Sequence, residues 1–225
     1  MCGRFRLAIP DDALSRLFAL DPPAGVEARY NIAPGQPLLA VRRAPSGALC
    51  WRPRWGLVPP WVKDPAGAQL INARAETAAS KPSFRSAFRA RRCLIPADGF
   101  YEWSGRKDKG PRTPWLVRRR DAAPFAFAGL WEQREDPSGL LETAAILTTA
   151  PNELMEKIHD RMPVILDAQD FELWLDPEVS DPDRLQPLLR PCPADPLEAI
   201  RVGTFVNSAR NEGPGCSAPL DEGLF

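Results

Sequence analysis

The sequence predicts an α+β fold, a curled and mostly antiparallel sheet or barrel with helices at its flanks. Two observations carry that reading. Strand-like runs cluster in the middle of the 225 residues with turn signals between them, while helical periodicity is confined to flanking segments. In addition, 26 Pro and 15 Gly are spread along the chain rather than gathered in one tract, which favours loops and short strands over long helices. No repeat or linker divides the chain, so residues 1–225 are expected to form one domain.

Each element follows from a local pattern. DDALSRLFAL (11–20) sets Leu14, Leu17 and Phe18 on one face behind an Asp cap, a short amphipathic helix. LLAVRR (38–43) and ALCWRPRW (48–55), separated by Ala-Pro-Ser-Gly, read as a hairpin. GLVPPWVKDP (56–65) is too rich in proline for regular structure and is expected to be an exposed loop carrying Trp61. QLINARAET (69–77) reads as an extended segment ending at Asn72, followed by helical sequence up to Arg92. CLIPADGFYEWS, TPWLVRR, FAFAGLWEQ and LETAAILTT are successive strands, with turns at GRKDKGP, DAAP and EDPSG. Helices are expected at 151–158, 168–175 and 183–189, a late strand at 199–206, and a Gly/Pro-rich tail after it.

The composition excludes several classes. Lys plus Arg equals Asp plus Glu at 29 each, so the chain is no globally cationic DNA-coating protein. The zero is local, however: residues 1–120 carry 22 basic and 9 acidic side chains, and residues 121–225 carry 7 and 20. Arg outnumbers Lys 24 to 5, and guanidinium is the better fork for phosphate oxygens, so an N-terminal phosphate-binding face is permitted. A 44% hydrophobic, 26% charged chain has the balance of a folded protein rather than a disordered one, and no apolar run reaches the roughly 20 residues of a membrane span. The N-terminus shows no secretory apolar segment, which leads us to expect a cytoplasmic monomer with reduced thiols. Five scattered cysteines without a C-x-x-C pair and a single His argue against a structural zinc or multi-histidine site; no metal or cofactor is expected.

Cys2 is the most informative residue. Initiator Met is normally removed before a small side chain, which would leave Cys2 as a 1,2-aminothiol whose α-amine, near pKa ~7.7–8.0, is partly neutral and nucleophilic at physiological pH. By position alone it is equally a chance residue in a frayed terminus. His159, in HDRMPVIL, is either a packed core histidine or a proton carrier. Glu102, in GFYEW, falls on the strand face opposite Tyr101 and Trp103, either in solvent or in a pocket with the raised pKa of a general acid. Asn72 otherwise closes a strand, and Arg4, Arg74 and Arg161 are otherwise surface charges.

Together these residues lie in MCGRF, RYNIAPGQ (29–36), WGLVPPW (55–61), INARAET (71–77), CLIPADGFYEW (93–103) and IHDRMPVIL (158–166). In order and spacing the set resembles the SOS response-associated peptidase (SRAP) family, from Cys2 to about Asn211; members of that family include abasic-site processing proteins. The resemblance implies a covalent shield for abasic sites in single-stranded DNA, acting in the DNA-damage response at the nucleoid and joined through a thiazolidine at Cys2. It implies Glu102 as acid/base, His159 as proton donor beside the sugar, and Asn72 as the residue positioning Cys2. It also implies phosphate contacts at Arg4, Arg74 and Arg161 and an aromatic wedge at Trp61. One departure is Val62, where the family often has a second Trp. Two other classes use the same residues: a cysteine peptidase, including autoproteolysis at Cys2, and a non-covalent single-strand binder that would not need Cys2.

Overall fold

The computed structural model describes residues 2–9, 11–18, 26–45, 47–63, 69–105, 110, 112–137 and 139–224. The chain opens with β1 (Phe5–Leu7) and α1 (Asp11–Phe18), the helix expected from its apolar spacing; Leu14 is buried, and residues 19–20 of the expected span lie outside the described residues. After β2 (Arg29–Ile32), β3 (Ala40–Ala44) and β4 (Gly47–Trp51) form the expected hairpin. The strand does not continue to residue 55, however. It stops before Arg52-Pro53, and β5 (Arg54–Trp55) joins a different neighbour. The following loop is exposed only at its tip, Trp61 being 57% accessible while Leu57 and Val58 are buried. Residues 64–65 of that segment lie outside the described residues.

The extended segment near Asn72 begins there rather than ending there: β6 spans Asn72–Arg74. The expected helix up to Arg92 is two short ones, α2 (Ala75–Ala78) and α3 (Arg85–Ala90), because Pro82 has no N–H to continue the ladder. Residues 93–104, read as one strand, are two: β7 (Arg92–Ala97) and β8 (Gly99–Ser104). Asp98 makes the break, its carboxylate accepting from the Arg6 guanidinium at 2.8 Å and from the Ala8 N–H at 3.3 Å. The strands β9 (Thr113–Arg119), β10 (Phe125–Asp136) and β11 (Gly139–Thr149) follow the pattern, the last two extended as a hairpin.

Residues 151–158 hold only a 3-10 turn at Met155–Lys157, entered through Asn152, whose Oδ1 accepts the Met155 N–H. The two-residue strands β12 (Met162–Pro163) and β13 (Ile165–Leu166) lead into α4 (Phe171–Leu175) and α5 (Pro182–Leu185); Pro187 keeps the next turn 3-10. The late strand β14 spans Leu197–Val202 and gives way to a 3-10 turn at Thr204–Asn207, and the tail contains β15 (Pro219–Leu224), paired with β14.

Among the described residues these strands make two sheets, in the orders β15-β14-β9-β8-β1-β2 and β12-β11-β10-β7-β3-β4, with β13 added to β10 and β5 and β6 to β11. Pairing is antiparallel except for β5 and β6, which lie parallel to β11, so the expected α+β, curled and mostly antiparallel architecture holds. One core is sealed by Phe5, Trp55, Phe100 and Phe127, with Phe5 edge-on to Trp55 at 5.3 Å and to Phe127 at 5.8 Å. A second packs Phe84, Phe88 and Trp174 from the helical layer against Leu94, Ala128 and Leu147. Gly129, opposite Cys93 across β10 and β7, has to be glycine, since a Cβ there would meet the Cys93 sulfur at 2.7 Å.

Candidate active site

The site forms where the N-terminal residues enter β1 between β2 and β8. Pairing of Phe5 with Ile32 and with Phe100 draws Cys2 into the first core, where it is fully buried. Asn72, at the start of β6 because that strand is registered on Ile146 of β11, donates its Nδ2 to the Cys2 carbonyl at 2.8 Å. Its Oδ1 is buried and has no hydrogen-bond partner among the described residues. Burial, and after it the charge of Glu102, push the Cys2 thiol well above its ordinary range, outweighing a hydrogen bond from the Arg4 backbone N–H. At neutral pH the sulfur is therefore a thiol and not a thiolate.

Glu102 sits in β8 and is 3% exposed. Alternation sends it away from Tyr101, which packs with Leu116 and Val202 and donates its hydroxyl to the Tyr30 carbonyl at 2.9 Å. Of the two environments its position allowed, the structure has the buried one. His159 follows the 155–157 turn, its own N–H donating to the Met155 carbonyl at 2.8 Å. Its Nδ1 accepts the Arg161 backbone N–H at 3.0 Å and stands 2.9 Å from Asp160 Oδ1. These two contacts exclude one another: the first needs Nδ1 bare and the second needs it protonated.

An open pocket of about 390 Å³ joins these parts, lined by Gly3, Arg4, Glu102, Trp103, Arg112, His159 and Asn207. Arg4 is half-buried, and its Nη1 donates to Asn31 Oδ1 and to the Val206 carbonyl, both at 2.7 Å. Asn31 in turn donates to the carbonyls of Ser208 and Asn211, tying the 204–211 segment to the floor of the site. Trp103 has the guanidinium of Arg4 5.8 Å and that of Arg112 5.9 Å from its ring centre, and its Nε1 donates to Asn207 Oδ1 at 2.7 Å.

The pocket thus brings Arg4, Glu102 and His159 together at Gly3, the neighbour of Cys2; Cys2 itself is buried and, like Asn72 that donates to its carbonyl, is not among the lining residues. Arg74, Arg161 and Trp61 are not among its lining residues. Arg74 is exposed at the end of β6. Arg161 is tied down: Nη1 and Nη2 donate to the two Glu76 carboxylate oxygens at 2.6 and 2.9 Å, and Nη2 also reaches the Thr148 carbonyl at 2.6 Å. The Arg161–Glu76 hydrogen bonding is the main cause holding the Glu76 carboxyl below its ordinary range. Trp61 rides a loop whose Val62 carbonyl is gripped by Arg134. Sequence reasoning missed Trp103 as a wall, Arg112, Asn207, Asn31 and Glu76. Arg112 and Asn207 carry no local signal, because only the pairing of β8 with β9 and the Asn31 network bring them here. Glu76 was legible as the acid two residues after Arg74. Among the described residues no group of three His, Cys, Asp or Glu side chains could hold a metal ion, and no helix is long and apolar enough to cross a membrane.

The chain is 47% identical over 219 residues to abasic site processing protein YoqW of Bacillus subtilis (strain 168), covering 95% of this chain and 97% of the relative. It is 30% identical over 234 residues to abasic site processing protein YedK of Escherichia coli (strain K12), covering 98% and 100%. Against the crystal structure of a Bordetella bronchiseptica protein the TM-score is 0.77 at 29% identity, covering 90% of this chain and 100% of the other. A Bacteroides thetaiotaomicron protein, 24% identical, shares the fold with a TM-score of 0.85 over 97% and 100%. The model of the family described as SOS response associated peptidase (SRAP) matches residues 1–209, from the first strand through the turn that carries Asn207, and on that match the chain belongs to the SRAP family.

Proposed function

We propose that this protein processes abasic sites in single-stranded DNA by joining Cys2 covalently to the opened sugar. The observation that carries the reading is the convergence of Glu102, His159 and Arg4 on one pocket beside a Cys2 held by Asn72. Removal of Met1 frees the Cys2 α-amine. The amine nitrogen attacks the C1′ aldehyde, the carbonyl oxygen leaves as water, and an imine forms. The thiol sulfur then adds to the imine carbon and its proton passes to nitrogen, closing a five-membered thiazolidine. Glu102 carries protons during sugar opening and imine formation, and His159 donates at the sugar. Arg4, Arg74 and Arg161 hold flanking phosphates, and Trp61 stacks on a base. The steps need neither a metal nor a cofactor.

The protonation of Cys2 supports this order of events over thiolate chemistry. In the thiazolidine route the amine attacks first and the sulfur enters as a neutral thiol, whereas a cysteine peptidase needs a thiolate that burial disfavours. The test is an intact-mass measurement of the purified protein with and without abasic single-stranded DNA, repeated on a variant whose N-terminus is extended by one uncleavable residue. We expect a Met1-free protein that gains the mass of the oligonucleotide less one water, and an extended variant that gains nothing. Crosslinking by the extended variant would overturn the mechanism, and a self-processed extended N-terminus would move the activity to the peptidase class.

A further inference from the structure

We infer that Glu76 holds the place of a DNA phosphate on Arg161 in the free protein and swings aside when a strand binds. It thereby sets how tightly undamaged single-stranded DNA is held. The inference rests on the proposed function for the phosphate contact at Arg161 and concerns the regulation of that contact. A guanidinium presents a planar fork that matches a carboxylate and a phosphate alike, each through two parallel N–H···O bonds. In Arg161 that fork is filled: Nη1 donates to Glu76 Oε1 at 2.6 Å and Nη2 to Glu76 Oε2 at 2.9 Å. A phosphate can take the same two donors only when the carboxylate gives them up.

The two partners differ in how firmly they are held. The Arg161 side chain is 16% exposed, its Nη2 also donates to the Thr148 carbonyl of β11 at 2.6 Å, and the next residue, Met162, is registered on Thr149. These anchors stay when the carboxylate leaves, so the fork keeps its aim. The Glu76 side chain is 50% exposed and stands in the first turn of the four-residue α2, where its flexible stem can turn the carboxylate into solvent. Arg74, the N-cap residue of that helix and a phosphate contact in our reading, lies two positions before it. Hydrogen bonding from Arg161 first, and the charge of Arg74 with it, hold the Glu76 carboxyl below its ordinary range, so it is ionised at neutral pH. An anion thus already stands at two of the three arginines assigned to phosphates.

Each encounter therefore exchanges one anion for another on Arg161, and the net gain from that contact is smaller than an unpaired guanidinium would give. An undamaged strand is released more readily for it. An abasic strand is retained by its covalent bond, which does not depend on that gain.

The test is a double-mutant cycle on the full chain, with affinity for an undamaged single-stranded oligonucleotide read by fluorescence anisotropy at fixed salt. Wild type, Glu76→Gln, Arg161→Gln and the double variant are compared. We expect Glu76→Gln to bind about two- to fivefold more tightly than wild type, the scale of a partly exposed ion pair that no longer has to be broken. In the Arg161→Gln background the same change should lose most of that gain. Glu76→Asp, which keeps the charge but draws it back from the fork, should fall between wild type and Glu76→Gln, and it carries the test if Glu76→Gln does not fold. An affinity that falls in Glu76→Gln would mean that the carboxylate positions Arg161 for the strand, and a gain of equal size in both backgrounds would mean general charge repulsion; either result overturns the inference. A wild type that binds the oligonucleotide but never crosslinks abasic DNA overturns the covalent mechanism alone, and the cycle still decides the role of Glu76.

Discussion

Cys2 and Glu102 divide the work differently from what their sequence positions suggest. An N-terminal cysteine invites the picture of a frayed, exposed nucleophile, yet Cys2 is fully enclosed in the core that contains Phe5, Trp55 and Phe127. Its replacement therefore has a folding cost as well as a chemical one. Cys2→Ala should lower stability by about 1 kcal/mol, the usual scale of a point change, as read by urea denaturation, and should abolish the heat-stable DNA adduct. It keeps an α-amine, so a borohydride-trappable imine should survive, and a heat-stable adduct in this variant would contradict ring closure by sulfur. Glu102 is equally enclosed, and a carboxylate is kept there for proton transfer in our reading. Glu102→Gln should slow crosslinking about 10² to 10⁴-fold, the range for a positioned acid/base, while leaving single-strand affinity in place. His159→Ala should slow both formation and reversal of the adduct, since a proton donor beside the sugar serves both directions; an effect on one direction alone would remove it from that role.

At the scale of elements, what could be read from the sequence was what is local. The hairpin at 40–51, the strand 113–119 and the helix beginning at Asp11 each announce themselves through turn residues or apolar spacing within about ten positions. What could not be read depends on partners far along the chain. Residues 93–104 look like one strand, because nothing nearby shows that Asp98 is claimed by Arg6, 92 positions away, and that the two halves join different sheets. Arg92 is a second case. An arginine at a strand start reads as a surface charge, but it is buried and donates to the carbonyls of Phe88 and Arg89 in α3 and of Trp174 and Asp176 at α4, closing two helix ends at once. The site divides along the same line: Cys2, Asn72, Glu102 and His159 sit in contiguous motifs, whereas Arg112 and Asn207 reach the pocket only through sheet pairing and the Asn31 network. The loop bearing Trp61 was expected from its prolines, and its anchorage by Arg134 was not. Holding an exposed indole on a fixed loop lowers the entropy lost when it stacks. Trp61→Ala should therefore cost about 1 to 3 kcal/mol of single-strand binding, the range for one base on one aromatic, with no change in thermal stability. Fluorescence anisotropy with an undamaged oligonucleotide measures this, and an unchanged affinity would detach the loop from DNA.

Over the whole molecule, the contrast between a basic first half and an acidic second half is partly neutralised by ion pairs between the halves. Arg29 pairs with Glu212, Arg42 with Glu142, Arg43 with Glu172, Arg91 with Glu132 and Arg118 with Glu198, each joining a basic residue before position 120 to an acidic one after it. Most of these pairs are partly exposed and individually worth about 0 to 1 kcal/mol, so they stitch the halves together more than they stabilise them. They also subtract from the phosphate-binding face that the charge count permitted. The contacts we assign to DNA are local: Arg74, exposed at the end of β6, Arg4 in the pocket, and Arg161, which pairs with Glu76 in the free protein. Three phosphate contacts on a single strand give a slope of log affinity against log salt near −2.1, so encounter affinity should fall roughly eighteenfold between 50 and 200 mM salt. That is a shallow dependence for a DNA-binding protein, in keeping with a net charge of zero. Loss of one of these contacts, as in Arg161→Gln, would flatten the fall to roughly sevenfold, which the same titration resolves. The covalent step cuts the dependence off entirely, because counterions compete with phosphates and not with a carbon–sulfur bond. Protein bound to abasic DNA should therefore dissociate in high salt when challenged within the first moments of mixing and resist it afterwards, and the time at which resistance appears should match the crosslinking rate. Encounter affinity that stays flat from low to high salt would remove the phosphates from the site and leave recognition to the pocket and Trp61 alone.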